Sequence, residues 1–166
     1  MKFWTQQDTE RTPYLDSILP REVRQELSRG RLPLLRCDSL NLAAGETCHY
    51  ADSAIYEKKI RRLRSAVRAR PSGIFRSRDR TAPAAADAVV DIAFEQIDGF
   101  LYITSSRVLF SGGDEFWERS LRELLAVKPY LNCVKLQFGR EAFKVFVPDG
   151  SLPYRALGLL RQAAHQ

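Results

Sequence analysis

The stretch Gly99-Phe100-Leu101-Tyr102-Ile103-Thr104-Ser105-Ser106-Arg107-Val108-Leu109-Phe110-Ser111-Gly112 carries the fold. Phe100 to Thr104 is rich in aromatic and β-branched residues, which fit a pleated, half-buried surface. Ser105-Ser106 reads as a turn, and Arg107-Val108-Leu109-Phe110 runs back. Leu101, Ile103, Val108 and Phe110 are placed on the core face, and Thr104 supports the strand. Arg107 is expected to brace the turn by bonding carbonyls. Just upstream, Asp98-Gly99 follows the apolar run Val89 to Ile97 and reads as a hairpin turn, because Gly tolerates the positive φ such turns need.

Further strands follow at short intervals. Ser111-Gly112-Gly113-Asp114 is a turn, and Phe116 to Arg119 is a short strand. Leu121 to Val127 fits either a strand or a helical turn. Val134, Leu136 and Phe138 alternate, as do Phe143, Val145 and Val147, with Gly139-Arg140-Glu141 turning between them. Short strands joined by tight turns argue for a curled antiparallel sheet or barrel. The period then changes. Leu152, Ala156, Leu159, Leu160 and Ala163 mark one face of a helix, with Ser151 as N-cap and Pro153 in the first turn. Its one partner in sequence is the sheet, whose open end it is expected to plug.

Towards the N-terminus, residues 1–16 read as a loose polar arm. A short helix follows Ser17 or Leu19, with Pro20 in its first turn, and ends near Gly30; Leu19, Val23 and Leu27 form one stripe expected to dock on its own domain. The chain thus divides into an arm over 1–39 and a domain over 40–166. The Ala-rich stretch Thr81 to Ala88 reads as a loop.

The order of these segments resembles bacterial pleckstrin-homology-like and GRAM-like domains. The likeness rests on the Gly99–Gly112 hairpin and on Leu42-Ala43-Ala44-Gly45-Glu46-Thr47-Cys48-His49-Tyr50, which looks like the entry to such domains. It spans roughly residues 40–165. It implies an α+β fold: a strongly bent antiparallel sheet of about seven strands closed by a C-terminal helix, here with an N-terminal helical arm. It also implies a binding module; relatives in eukaryotes bind phosphoinositides or proteins.

The chemistry lies in one basic segment. The 166 residues carry a net charge of +6, unevenly spread. From Lys58 to Arg80 there are ten basic residues and one acid, a local +9, while the other sixteen basic and nineteen acidic side chains net −3. The candidate anion-binding set is Lys58, Lys59, Arg61, Arg62, Arg64, Arg68, Arg70, Arg76, Arg78 and Arg80. Eight are arginine, whose planar fork matches two oxygens of a phosphate or carboxylate. Two conformations compete. As a helix, Tyr56, Ile60, Leu63 and Val67 form an apolar stripe opposite a basic face. As strands about Pro71-Ser72-Gly73, Arg68 and Arg70 share one face and Arg76 and Arg78 another; the resemblance favours strands. An acidic lipid head group or acidic protein is the expected partner. Nucleic acid is the alternative, weakened by few aromatic platforms: Phe75 and the flanking Tyr56. A merely solvated or protein-facing charged surface competes with both, and a homo-oligomer is compatible with each.

The sequence points away from catalysis. It contains no phosphate loop, nucleophile elbow or His-Glu-x-x-His motif. Glu46 and Asp52 lie near His49 without assembling a base and nucleophile, and with His165 there are two histidines in all. Gly112-Gly113-Asp114-Glu115 is a turn with two acids. Cys37, Cys48 and Cys133 are odd in number and widely spaced, so they give neither a disulfide framework nor a metal pattern; Cys133 reads as a buried small hydrophobe. Catalytic residues, metal and cofactor are therefore all expected to be none. Without a signal-peptide core or an apolar run of about 18–20 residues, the expected location is cytoplasmic, peripheral to the membrane when bound.

Overall fold

The computed structural model describes residues 13–64 and 89–166. The elements run α1 (Arg21–Ser28), β1 (Cys48–Arg64), β2 (Val89–Thr104), β3 (Arg107–Gly112), β4 (Glu115–Ser120), β5 (Leu124–Pro129), β6 (Cys133–Phe138), β7 (Glu141–Phe146) and α2 (Ser151–Ala164). The seven strands form one sheet in the order β4-β3-β2-β1-β7-β6-β5. The architecture is α+β, an antiparallel sheet with two helices. It divides into two units: residues 1–58 with 96–166, and residues 59–95. The first holds the core. In its described part the second consists of the far end of β1 and the near end of β2.

Alternation places the core. Tyr50 and Ala54 of β1, Leu101 and Ile103 of β2, Val108 and Phe110 of β3, and Trp117 of β4 join Val134, Leu136 and Phe138 of β6 with Phe143 and Val145 of β7 in one buried cluster. Strand residues two apart share a face, so the side chains a strand gives to this cluster come from alternate positions. Trp117 and Phe143 stack with ring centroids 4.2 Å apart, and Tyr56 meets Phe110, Trp117 and Phe143 at 5.6–5.9 Å.

The helices complete the core. Leu19 and Leu27 enter the same cluster and Val23 packs against it, so the expected stripe does dock on its own chain. Leu152, Ala156, Leu157 and Leu160 of α2 enter from the other terminus. Two details of α2 differ from the sequence expectation. Ser151 is the first helical residue; the Asp149 carboxylate accepts from the Ser151 amide at 2.9 Å and from its hydroxyl at 2.6 Å, so Asp149 caps the turn. The buried face is also rotated towards Leu157, leaving Leu159 half-buried and Ala163 exposed. Arg155 donates to the Ser28 carbonyl at 3.0 Å, tying α2 to the end of α1.

The Asp98-Gly99 turn is not formed: β2 runs unbroken from Val89 to Thr104. Gly99 serves a different need. A Cβ there would lie 2.4 Å from the Ser111 carbonyl oxygen and 2.6 Å from Gly112 Cα, and one at Gly112 would lie 2.1 Å from the Asp98 carbonyl oxygen. The two backbones approach so closely that neither position takes a side chain. Leu121 to Val127, read as strand or helical turn, holds both: a single 3-10 turn at Leu121–Glu123, then β5.

Candidate functional site

Of the predicted anion-binding residues, Lys58 to Arg64 lie in β1 as extended chain. The helix reading fails for Tyr56 to Leu63. Ile55, Tyr56 and Glu57 pair with Phe146, Val145 and Lys144 of β7, and this ladder holds the segment extended as it leaves the core. Lys58 pairs with Glu115 at 2.7 Å. Lys59, Arg61 and Arg62 are exposed, and Arg64 ends the strand. Arg68, Arg70, Arg76, Arg78 and Arg80 lie outside the described residues, as do the Pro71-Ser72-Gly73 turn and the Ala-rich loop.

The neighbouring strand adds a feature that sequence reasoning missed. Val90, Ile92 and Phe94, alternate residues of β2, are 50%, 54% and 61% exposed. Their period-two pattern was visible, but it gives only a common face; nothing in it says the face is left to solvent. Within the unit 59–95, the strand that carries exposed Lys59 and Arg61, with Arg62 on its other face, thus neighbours the strand whose Val90, Ile92 and Phe94 are exposed.

A second constellation joins the two motifs of the resemblance. Glu46, whose side chain is 4% exposed, accepts from Thr104 Oγ1 at 2.6 Å, the Ala43 amide at 2.8 Å, Ser106 Oγ at 3.0 Å and Arg107 Nε at 2.9 Å. Arg107 also donates to Glu118, at 2.5 Å, and to the Asn41 carbonyl at 2.8 Å. Burial pushes the Glu46 carboxyl up, but the bonds from Thr104, Ala43, Arg107 and Ser106 outweigh it and hold the group at about 2. The bond to Glu46, helped by Glu118, holds the proton on Arg107 more tightly than usual. A shallow hollow of about 410 Å³ lies over this node, lined by Asn41, Leu42, Ala43, Glu46, Ser106 and Arg107. Chemically the node is a brace. Glu46 stays ionised at neutral pH with both oxygens engaged, and the Arg107 fork is taken up by the protein's own oxygens.

His49 is likewise engaged in structure. Its buried ring donates from Nδ1 to the Pro33 carbonyl at 2.8 Å, and Nε2 meets Thr47 Oγ1 at 2.9 Å. Asp52 accepts from Ser17 Oγ at 2.7 Å, the Ile18 amide at 2.8 Å and the Ser53 amide at 2.9 Å, holding the N-terminal segment on β1. Among the described residues no three of His, Cys, Asp and Glu converge as metal ligands, and no helix is long and apolar enough to cross a membrane. Cys37 and Cys48, far apart in the residue pattern, are brought together at 2.8 Å between sulfurs. No protein-family model matches the chain, and no curated protein matches it.

Proposed function

We propose that the chain is a pleckstrin-homology-like, GRAM-like binding module without catalytic activity, whose basic β1–β2 segment docks on a membrane surface rich in anionic phospholipid. The kinship is supported by the seven-stranded order with a C-terminal helix buried against the sheet. The ligand class rests on one observation: exposed Lys59, Arg61 and Arg62 on β1, and exposed Val90, Ile92 and Phe94 on β2, its neighbour in the sheet. Clustered charge alone would suit any polyanion. Cations next to aliphatic and aromatic side chains suit an interface with both anionic head groups and an acyl boundary. Each cation near such a surface contributes about 1 kcal/mol, and the five arginines from Arg68 to Arg80 extend the same charge in sequence.

The test is co-sedimentation with phosphatidylcholine vesicles, with and without phosphatidylserine, at low salt. Pelleting is expected with the anionic vesicles alone. Replacing Lys59 and Arg61 together by Gln removes about 2 kcal/mol, a roughly thirty-fold fall in partition. Ile92→Ser with Phe94→Ser weakens the binding that survives added salt. Pelleting that ignores phosphatidylserine, or none at all, overturns the lipid reading. A mobility shift with single-stranded or duplex DNA in place of pelleting selects the nucleic-acid alternative.

A further inference from the structure

Cys37 precedes the entry loop and Cys48 opens β1. An isolated antiparallel bridge joins Leu35 to Cys48, with the Leu35 amide donating to the Cys48 carbonyl at 2.9 Å. This bridge holds the two backbones side by side. Cys37 Sγ–H points at Cys48 Sγ across 2.8 Å, well inside the usual separation of unbonded sulfurs, and both thiols are free. The loop between them is fixed independently: Ser39 Oγ meets Tyr102 Oη at 3.2 Å, and Glu46 is locked to the β2–β3 hairpin. The two sulfurs thus already lie within reach of one another. Cys133 belongs elsewhere, buried with Ile55 and Phe146.

We infer that Cys37 and Cys48 are a reversible disulfide pair, closed by thiol–disulfide exchange with a small-molecule disulfide such as oxidised glutathione. Cys37, half-buried, is the reachable thiol; Cys48 is buried. The Cys37 thiolate, its proton released to water, attacks one sulfur of the oxidant. A protein–glutathione bond forms, the oxidant's own S–S bond breaks, and the first glutathione leaves as thiolate. Cys48 then loses its proton and attacks Cys37 Sγ, expelling the second glutathione. Two electrons pass from the protein thiols to one oxidant molecule. The order of attack follows from the setting. Burial, then the hydrogen bond and charge of Cys37, push the Cys48 thiol far up. The contribution from Cys37 disappears once that sulfur is bound to glutathione, which makes Cys48 easier to deprotonate at the step that needs it.

The experiment equilibrates the full chain with oxidised glutathione, then counts thiols after denaturation and maps disulfide-linked peptides by mass. The inference expects the three thiols to fall to one. It also expects a Cys37–Cys48 linked peptide lighter by two hydrogens and full recovery with dithiothreitol. Cys133→Ser keeps the link; Cys37→Ser abolishes it while its circular dichroism matches the parent. Three thiols persisting, a link through Cys133, or a glutathione adduct on Cys37 that never resolves would each overturn it.

Discussion

Arg107 sits where four segments meet: the loop at Asn41, the entry residue Glu46, its own hairpin and β4 at Glu118. The sequence expectation had it bonding carbonyls. One carbonyl is there, but the two carboxylates matter more, and Glu46 comes from sixty-one positions away. A single sequence marks such residues as motif members without saying that they touch. Lysine cannot reproduce the fork, so Arg107→Lys is expected to cost about 2 kcal/mol by urea unfolding with an unchanged slope; a change below about 0.5 kcal/mol would mean the fork is not holding these segments. The pH dependence has a definite sign. Glu46 is depressed from 4.5 to about 2 on folding, so its stabilisation is full above about pH 4.5 and is lost as pH falls towards 2. Asp52 works oppositely. Burial raises its carboxyl against the bonds from Ser17, Ile18 and Ser53, so its contribution fades as pH rises through the folded value. Glu46→Gln should flatten the fall in thermal midpoint between about pH 4.5 and 2; an unchanged profile would remove Glu46 from that role.

At the level of elements, the short strands were legible because their alternation survives in the fold: Val134, Leu136 and Phe138, and Phe143 and Val145, all reach the core. The long strand was not. Asp-Gly between apolar runs is the strongest short-range hairpin signal, yet here it lies mid-strand, and Gly99 is required by the backbone facing it rather than by a turn. That facing backbone, at Ser111 and Gly112, becomes a neighbour only once β2 and β3 have paired. Gly99→Ala puts a methyl against main-chain atoms that cannot swing aside, with an expected loss of about 2 kcal/mol or more in chemical denaturation. Full stability in that variant would show that β2 and β3 can separate locally. The helix α2 was found with its face slightly misplaced: counting apolar spacings weighs Leu157 and Leu159 alike, and only the sheet chooses between them.

For the whole molecule, the larger of two buried clusters is reached by both helices. Removing residues 148–166 strips Leu152, Ala156, Leu157 and Leu160 from it. The truncated protein is expected to lose cooperative thermal unfolding and to bind a hydrophobic dye; a sharp transition near the parent's would mean the sheet closes without α2. The candidate binding surface was half legible. Its cations announce themselves by composition, whereas the alternation of Val90, Ile92 and Phe94 does not say that their side chains are exposed. The position of β1 between β2 and β7 has a consequence for biosynthesis. The strand of this sheet that is made first is also its centre, and Ile55 must wait for Phe146. A nascent chain can zip β1 to β4 in order of appearance, but one flank of its oldest strand stays bare until β7 has been made. Such late, long-range closure slows folding and leaves that flank open to chaperones, or to strands of another chain, while the ribosome is still at work.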